Sequence, residues 1–471
     1  MPKKGNDLLM KQVDIETIAE VVKGSIINKE VLKLDIEYNN VSIDSRTIQK
    51  NDIFIPIKGD NFDGHDFILA AYEEGAIVCF TEDKAKIPSD RLGLLVNDTG
   101  QALKDFAKYY LSMFKIPVIA VTGSVGKTSC KEMIGSVLSA KYLVHKTSGN
   151  FNNEIGLPLT IFKLEEKHQV VILEMGMNHY GELHRLSEIA NPDIAVITNI
   201  GEAHIEYFGT KDNILKAKSE ILDFLKEDGL VILNGDDAYL RKLRDRISFK
   251  TLTFGFDDSN DFYIDKYKIL GWDGLEGTVK GDNREFDIKI NTLGKHMLYN
   301  ILPGIIIGNH LNMTVTEIEQ GACNYKPYKM RMDKIILDND IVVINDAYNA
   351  SVDSMKSALE TLTNLDTNGR KVAILGDMYE MGERSRDAHS KIGEEAAKKN
   401  IDLLICVGKD AKYIFDGAAN HGMDKDKILY YETKDNLIGG IDNLVNNKDT
   451  IIIKASRGMH LEMIVEKLKS L

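Results

Sequence analysis

The feature that most constrains this chain is the segment Val118-Ile-Ala-Val-Thr-Gly-Ser-Val-Gly-Lys-Thr128, where an apolar run gives way to two glycines and a lysine–threonine pair. The apolar run predicts a buried strand, and the glycines predict a tight turn into a helix. Backbone N–H groups and the dipole at such a helix start can hold a polyphosphate. The segment therefore predicts a strand–loop–helix unit that binds a nucleoside triphosphate.

Each residue type in this loop has a physical role. Gly123 and Gly126 allow the backbone to approach phosphate oxygens, Lys127 brings a positive charge to the terminal phosphates, and the Thr128 hydroxyl can ligate Mg²⁺. Val121 stands where the longer phosphate-loop pattern has a glycine, so this is a shorter variant, and an ordinary strand–turn–helix connection is the alternative. The predicted ATP-binding loop comprises Thr122, Gly123, Ser124, Val125, Gly126, Lys127 and Thr128.

Length and composition set the broad class. A chain of 471 residues with 43% apolar content is too long for one core, so several domains are expected. It has no apolar stretch of about 18 residues, and its start, Met-Pro-Lys-Lys-Gly-Asn-Asp, lacks the apolar run of a signal peptide. We therefore expect a cytoplasmic protein without a membrane-inserted segment.

Charge and cysteine content exclude further classes. A formal net charge of −13 argues against non-specific binding of nucleic acid, although a local basic pocket for an anionic substrate is compatible with it. The four cysteines are scattered without a C-x-x-C pair, which argues against disulfides and structural zinc. We expect all four to be small buried hydrophobic residues, and we expect a monomer that acts on small molecules.

Alternation of apolar runs and helical patterns divides the chain into three α/β domains. Residues 1–112 predict a small mixed α/β domain, and residues 113–326 predict a central parallel-sheet ATPase domain. Residues 250–290 are β-rich and predict an insertion or terminal ribbon. In residues 327–471 the alternation restarts and predicts a second doubly wound, Rossmann-like domain. Its predicted strands are Ile341–Asn345, Lys371–Gly376, Leu403–Val407, Ile428–Tyr431 and Thr450–Lys454.

Two polar residues follow apolar runs of the central part. Glu174 ends the run Val170-Val-Ile-Leu-Glu, and His204 comes shortly after the run that begins at Ile194. Ligands of parallel sheets gather at the carboxyl ends of the strands, so both side chains could reach metal ions on the phosphates. Taken singly, a helix-start glutamate and a surface histidine are the alternatives.

Lys218 occupies an unusual position in a predicted helix, Asp212–Leu225. Ile214, Ile221 and Leu225 form its apolar stripe, and Lys218 falls on that stripe. An inward-facing amine needs a partner or a chemical modification. Packing of the apolar stem over the edge of the core is the alternative.

The motifs taken together resemble the Mur ligases of peptidoglycan synthesis. The resemblance covers all three parts of the chain in family order and includes the segment Asp44-Ser-Arg-Thr47 near the start. The C-terminal segments further resemble the family member that joins D-alanyl-D-alanine to UDP-N-acetylmuramoyl-tripeptide. The segments that carry the resemblance are 59–65, 122–128, 149–158, 174–177, 199–204, 217–221, 345–351, 376–383 and 454–459.

This resemblance implies roles for the polar residues of the central part. Thr128, Glu174 and His204 would hold Mg²⁺, and Lys218 would be carbamylated, so that a carbamate oxygen ligates the metal. A carbamate is an oxygen donor that suits a hard cation, whereas an amine is not. The implied catalytic residues are Lys127, Glu174, His204 and Lys218.

The resemblance also implies contacts for the two substrates. Asn300 matches a residue that contacts adenine, but Met297 stands where the family usually has an asparagine, which puts that second contact in doubt. Arg331 and Asp346 match residues that reach the phosphates and the ribose of ATP. Ser45 and Arg46 match the uridine-nucleotide pocket, for which a surface turn is the alternative. The residues implied to border or seat the peptide substrates are Asn152, Asn153, Tyr348, Asn349, Ser456 and Arg457.

The implied chemistry is ATP-dependent amide synthesis through an acyl phosphate, with Lys127 and Mg²⁺ offsetting the charge that gathers at the γ-phosphate. Water must be excluded, and closure of the C-terminal domain would do this. Two alternatives remain open. One is a sister ligase that adds a single amino acid, and the other is a nucleotide-dependent switch or phosphotransferase built on the same loop.

Overall fold

The computed structural model describes residues 10–31, 36–59 and 61–470. The chain divides into two compact units, and the boundary passes through two strands, Val118–Thr122 and Ile194–Ile197. The N-terminal sequence from which the absence of a signal peptide was predicted lies outside the described residues. Unit 1 comprises Met1–Ala120, Tyr142–Ala195 and Ser219–Gly229, and unit 2 comprises Val121–Lys141, Val196–Lys218 and Leu230–Leu471.

A small mixed sheet forms the first part of unit 1. Its strand order is β1-β5-β4-β3-β2, with β1 antiparallel to β5 and the other neighbours parallel. Phe54, Ile68, Tyr72 and Cys79 pack in its core. The elements are β1 (Ser25–Ile27), β2 (Val41–Ser42), β3 (Ile53–Phe54), β4 (Val78–Thr81), β5 (Gly93–Leu95), α1 (Ile15–Val21), α2 (Ile68–Glu74) and α3 (Thr99–Ser112).

Strands and helices alternate through residues 113–249, as predicted. All residues of the strands that end at Thr122, Glu174 and Ile197 are buried, which is typical of parallel strands covered on both faces. Within unit 1, β7 and β8 pair in parallel. The elements are β6 (Val118–Thr122), β7 (Val144–Lys146), β8 (Val170–Glu174), β9 (Ile194–Ile197), β10 (Leu230–Asn234), α4 (Lys127–Leu138), α5 (Gly156–Ile161), α6 (Glu182–Ala190), α7 (Ile205–Phe208), α8 (Lys211–Ser219) and α9 (Ala238–Arg244).

The helix that carries Lys218 is shorter than predicted. Helix α8 ends at Ser219, and the chain continues as a tighter 3₁₀ turn over Glu220–Leu222. There the N–H of Asp223 donates to the carbonyl of Glu220, which is the i→i+3 bond of a 3₁₀ turn. The apolar stripe persists through the change, because Ile214, Ile221 and Leu225 are all buried.

In unit 2 the β-rich segment extends a sheet, as the prediction of a terminal ribbon requires. β10 pairs in parallel with β11, and β11 pairs in parallel with β12. Two antiparallel pairings, β12–β13 and β13–β14, complete the ribbon. The elements are β11 (Lys250–Gly255), β12 (Phe262–Ile269), β13 (Leu275–Gly281), β14 (Arg284–Ile290), α10 (Met297–His310) and α11 (Val315–Cys323).

The structure also tests the expectations about membrane-inserted segments and about the cysteines. Among the described residues, no helix has both the length and the apolar composition that crossing a bilayer requires. The expectation that all four cysteines are buried is wrong for Cys323, which is exposed, whereas Cys79, Cys130 and Cys406 are buried. Cys323 follows the buried Ala322 on α11, and successive helical residues point about 100° apart, so its side chain leaves the apolar face.

The C-terminal part of unit 2 is a six-stranded sheet of order β15-β16-β20-β17-β18-β19. The five predicted strands are present and parallel. An edge strand that the sequence did not indicate, β15, pairs antiparallel with β16. The elements are β15 (Asp333–Ile336), β16 (Val342–Asn345), β17 (Lys371–Gly376), β18 (Leu403–Val407), β19 (Ile428–Tyr431), β20 (Thr450–Lys454), α12 (Val352–Thr363), α13 (Ser385–Ala397), α14 (Ala411–Asn420), α15 (Lys434–Ile438) and α16 (Glu462–Leu468).

Candidate active site

The loop between β6 and α4 is held by the residues that follow β9. The backbone N–H of Val125 donates to Asn199 Oδ1 at 2.9 Å, and Asn199 Nδ2 and Thr198 Oγ1 donate to the carbonyl of Val125 at 2.8 and 2.7 Å. Gly123 has φ +146°, and a Cβ atom there would lie 1.9 Å from Thr198 Oγ1. Glycine is therefore required at 123 by both conformation and space.

The start of α4 places a cation and a hydroxyl beside the loop. Lys127 Nζ donates to the carbonyl of Gly123 at 2.7 Å. Thr128 is buried, and Arg331 Nη2 donates to its Oγ1 at 3.4 Å. The predicted phosphate residues and one residue of the predicted C-terminal set therefore lie together.

Lys218 is buried, as its place on the apolar stripe predicts, with 1% of its surface exposed. Burial lowers the pKa of its amine well below the ordinary value, and the nearby Lys127 ammonium lowers it further. No carboxylate forms an ion pair with Lys218 within the described part of the chain. Both effects favour the free-base form of the amine, which is the form that reacts with CO₂.

His204 meets a residue that the sequence did not indicate. Its Nδ1 atom lies 2.6 Å from Oε2 of Glu380, in the loop after β17. The interaction with His204 lowers the pKa of the Glu380 carboxyl, burial opposes this, and the nearby Lys127 ammonium adds to the lowering. Glu380 belongs to segment 376–383, which carries part of the family resemblance, but the spacing of that segment does not indicate a contact with His204.

A cavity of about 300 Å³ is lined by five of the residues predicted to bind ATP. Val125 and Gly126 line it from the phosphate loop, and Asn300, Arg331 and Asp346 line it from elsewhere in unit 2. The space is therefore continuous from the loop to the segment predicted to contact adenine.

Met297 orients the amide of Asn300 in this cavity. Asn300 Nδ2 donates to Met297 Sδ at 3.6 Å. Asn300 Oδ1 faces the loop, because it lies 2.7 Å from the position that a Cβ of Gly126 would take. Met297, which stands where the family usually has an asparagine, therefore contacts the side chain of Asn300, the residue predicted to bind adenine.

The same cavity contains a buried ion pair that sequence reasoning missed. Lys454 Nζ lies 2.5 Å from Asp346 Oδ2 and donates to the carbonyl of Asn349 at 2.9 Å. Burial lowers the pKa of Lys454, and Asp346 opposes this. His296 is also buried here, and desolvation lowers its pKa to about 4.

Three of the residues predicted to seat the peptide substrates, Tyr348, Ser456 and Arg457, lie in the C-terminal part of unit 2. The Arg331 guanidinium stacks on the Tyr348 ring with its Cζ 4.2 Å from the centroid. Ser456 Oγ accepts a hydrogen bond from the backbone N–H of Tyr379 at 2.8 Å. Arg457 is half exposed and pairs with Glu462.

In unit 1, Glu174 is buried at the end of β8, and Asn152 Nδ2 donates to its Oε1 at 2.9 Å. Asn153 Oδ1 accepts from the N–H of Gly156, at the start of α5.

Ser45 and Arg46 lie in a surface turn that begins at Asp44. Arg46 is 86% exposed and forms an ion pair with Asp44. The Asp44 carboxylate holds the pKa of the guanidinium above its usual value. Ser45 and Arg46 therefore lie in a surface turn, which was the alternative to a uridine-nucleotide pocket, and the guanidinium of Arg46 is accessible.

The predicted metal ligands can be tested on their donor chemistry. No group of three or more His, Cys, Asp or Glu side chains in the described ranges forms a metal-binding cluster. The predicted set instead includes a threonine hydroxyl and a lysine, and amines are poor ligands for Mg²⁺. These residues fit a hard cation only if Lys218 carries a carbamate.

Three family models match the chain: "Mur ligase family, catalytic domain" at 37–111, "Mur ligase middle domain" at 121–308, and "Mur ligase, glutamate ligase domain" at 330–457. A Bacillus subtilis UDP-N-acetylmuramoyl-tripeptide–D-alanyl-D-alanine ligase is 40% identical over 96% of this chain and 98% of its own.

Solved structures agree with these matches. A MurF crystal structure from Acinetobacter baumannii has a TM-score of 0.89 and 27% identity, with 98% of this chain and 100% of the other covered. A Thermotoga maritima MurF ligase in complex with ADP has a TM-score of 0.81 and 30% identity, with 92% and 97% covered. The prediction of three α/β domains is confirmed, and the chain belongs to the Mur ligase family.

Proposed function

We propose that this Mur ligase joins D-alanyl-D-alanine to UDP-N-acetylmuramoyl-tripeptide at the expense of ATP, giving the pentapeptide precursor of peptidoglycan, ADP and phosphate. The match along almost the whole chain to relatives named for this reaction supports the choice of substrates. The observation that carries the chemistry is the buried, low-pKa amine of Lys218 beside Lys127 of the phosphate loop.

The reaction has two steps. A carboxylate oxygen of the tripeptide attacks the γ-phosphorus of ATP, the bond to the bridging oxygen breaks, and ADP leaves. The amine nitrogen of D-alanyl-D-alanine then attacks the acyl carbon, phosphate leaves, and the nitrogen loses a proton. Each step gathers negative charge on phosphate oxygens, so fixed positive groups and backbone donors lower both barriers.

The predicted site residues are proposed to supply these groups. The backbone of residues 122–128 binds the phosphates, and Lys127 brings its ammonium to the γ-phosphate. Asn300 contacts adenine, and Arg331 and Asp346 contact the phosphates and ribose. A bound Mg²⁺ would act as a Lewis acid that withdraws charge from the reacting phosphorus. Its proposed ligands are Thr128, Glu174, His204 and carbamylated Lys218.

The carbamate forms when the neutral amine of Lys218 attacks the carbon of CO₂ and releases a proton. Burial assists this step because it disfavours the charged, unreactive form of the amine. The product carries a negative charge where the amine carried none, so it attracts both the cation and the Lys127 ammonium.

The peptide and nucleotide substrates are proposed to contact residues in all three domains, bounded at 1–112, 113–326 and 327–471. The N-terminal domain, residues 1–112, supplies the uridine-nucleotide pocket. We further propose a cytoplasmic monomer that serves cell-wall growth, cell shape and cell division. The proposed substrate contacts are Ser45, Arg46, Asn152, Asn153, Tyr348, Asn349, Ser456 and Arg457.

A phosphate-release assay tests the reaction. Release should require ATP, UDP-N-acetylmuramoyl-tripeptide and D-alanyl-D-alanine together, and single amino acids should support little of it. Efficient release with a single amino acid would favour a sister ligase. Release from ATP without either peptide substrate would favour a phosphotransferase or a switch.

A further inference from the structure

The loop of residues 377–384 brings Glu380 against His204. Oε2 of Glu380 lies 2.6 Å from Nδ1 of His204, whose side chain is only 18% exposed. Both residues have left-handed backbone conformations, with φ of +61° and +62°. Such conformations are uncommon for residues other than glycine and persist where the surroundings hold them.

Two hydrogen bonds hold the loop just before Glu380. The backbone N–H of Met378 donates to Nε2 of the buried His389 at 2.8 Å, and the N–H of Tyr379 donates to Ser456 Oγ at 2.8 Å. Consecutive residues are therefore tied to α13 and to the end of β20. The carboxylate of the next residue is placed by this backbone and not by a freely moving chain.

The far side of the loop rests on α7 and the residue after it. A Cβ atom on Gly382, which has φ +53°, would lie 3.2 Å from Cγ of Glu206. Arg384 Nη2 donates to the carbonyl of Gly209 at 3.4 Å. The contact between Glu380 and His204 is thus one part of a wider fit between the loop and α7.

A carboxylate beside one ring nitrogen of a histidine fixes the tautomer and directs the other nitrogen to a ligand. We propose that Glu380 is a positioning residue: its carboxylate accepts a hydrogen bond from the Nδ1–H of His204, which keeps the proton on Nδ1 and leaves the Nε2 lone pair for the divalent cation. The inference rests on the proposed metal role of His204. The cation site then depends on the family's C-terminal domain, residues 330–457, through a residue that does not touch the cation.

Binding of Mn²⁺ to the full chain in the presence of ADP, followed by electron paramagnetic resonance, tests the inference. Glu380→Ala should weaken Mn²⁺ binding about 10- to 100-fold with little change in Tm. Glu380→Gln should weaken it less, because the amide oxygen still accepts a hydrogen bond. Glu383→Gln is the matched control, since it removes one exposed carboxylate from the same loop, and it should leave Mn²⁺ binding unchanged.

The tautomer of His204 gives a readout independent of the cation. In ¹⁵N spectra of the metal-free protein, assigned by the loss of signals in His204→Ala, the ring proton should reside on Nδ1. In Glu380→Ala it should redistribute to Nε2. A merely structural role of Glu380 would change Tm without moving this proton between the nitrogens.

The outcomes separate the two levels of the proposal. If His204→Ala abolishes Mn²⁺ binding and Glu380→Ala does not alter it, the positioning role is overturned and the metal role of His204 stands. If His204→Ala binds Mn²⁺ like the wild type, the proposed metal role itself fails. If Glu383→Gln weakens binding as much as Glu380→Ala, loop charge explains the effect and the positioning role is again overturned.

Discussion

Replacing Lys218 can separate its chemistry from its packing. Lys218→Ala removes three methylene groups and an amine from a position with 1% exposure. At about 0.8 kcal/mol per buried methylene, the lost stem costs about 2 kcal/mol in the free energy of unfolding. Lys218→Met keeps a stem of similar length and also removes the desolvated amine, so it should cost less than Lys218→Ala.

Activity should not follow this difference in stability. Neither variant can form a carbamate, so both should lose at least about 100-fold in kcat, the order of effect of removing one preorganised electrostatic group. Equal losses of activity at unequal stability would locate the effect in the chemistry. The assays are phosphate release with all three substrates and urea unfolding of each variant.

Small carboxylates provide the deciding measurement. Acetate or propionate can enter the space that Lys218→Ala opens and replace the carbamate oxygens, whereas the longer side chain of the Lys218→Met variant fills that space. Partial rescue is therefore expected for the alanine variant only. Full activity of the methionine variant without additive, or equal rescue of both variants, would refute the carbamate role.

Three further predictions concern unit 2. The unfolded state takes up a proton at His296 as pH falls below about 6.5, whereas the folded state does so only near pH 4, so stability is complete above 6.5 and is lost between these values. Between pH 7 and pH 5, the free energy of unfolding measured with urea should fall by about 2 kcal/mol less in His296→Gln than in the wild type. Equal falls in the two proteins would contradict this. Gly123→Ala places a Cβ 1.9 Å from Thr198 Oγ1, so fluorescent ADP should bind at least about 10-fold more weakly; unchanged binding would show that the loop can relax. Lys454→Met leaves the Asp346 carboxylate buried without its cation and should lower the free energy of unfolding by about 3–5 kcal/mol. The double variant with Asp346→Asn should regain much of it, and strictly additive losses would argue against the pairing.

Much of the fold was predictable because apolar runs alternate with helical patterns. The central strands expected to end near Val121, Glu174, Asn199 and Asn234 are present. So are the five parallel strands of the C-terminal sheet. The central strands end at Thr122, Glu174, Ile197 and Asn234. The edge strand Asp333–Ile336 was missed because its residues are partly exposed and give no continuous apolar run. The family was predictable from its motifs, and the comparisons confirm it.

The site was only partly predictable. Burial of Lys218 follows from its spacing along one helix, which is local information. The contacts of His204 with Glu380 and of Asp346 with Lys454 join residues more than 100 positions apart, and they depend on loop backbones such as the left-handed Glu380. No periodicity records such pairs. The assigned roles of the site residues remain predictions.

The hydrogen bond from Lys127 to Gly123 has a consequence for ligand discrimination. The ammonium already has an acceptor 2.7 Å away in its own loop, so a ligand gains only the difference between its phosphate oxygen and that carbonyl. A doubly charged terminal phosphate exceeds a neutral carbonyl as an acceptor, whereas a ligand too short to reach Nζ gains nothing there. If Lys127 reaches the terminal phosphate as proposed, the loop should bind nucleotides whose phosphate chain extends to the lysine more tightly than nucleoside monophosphates.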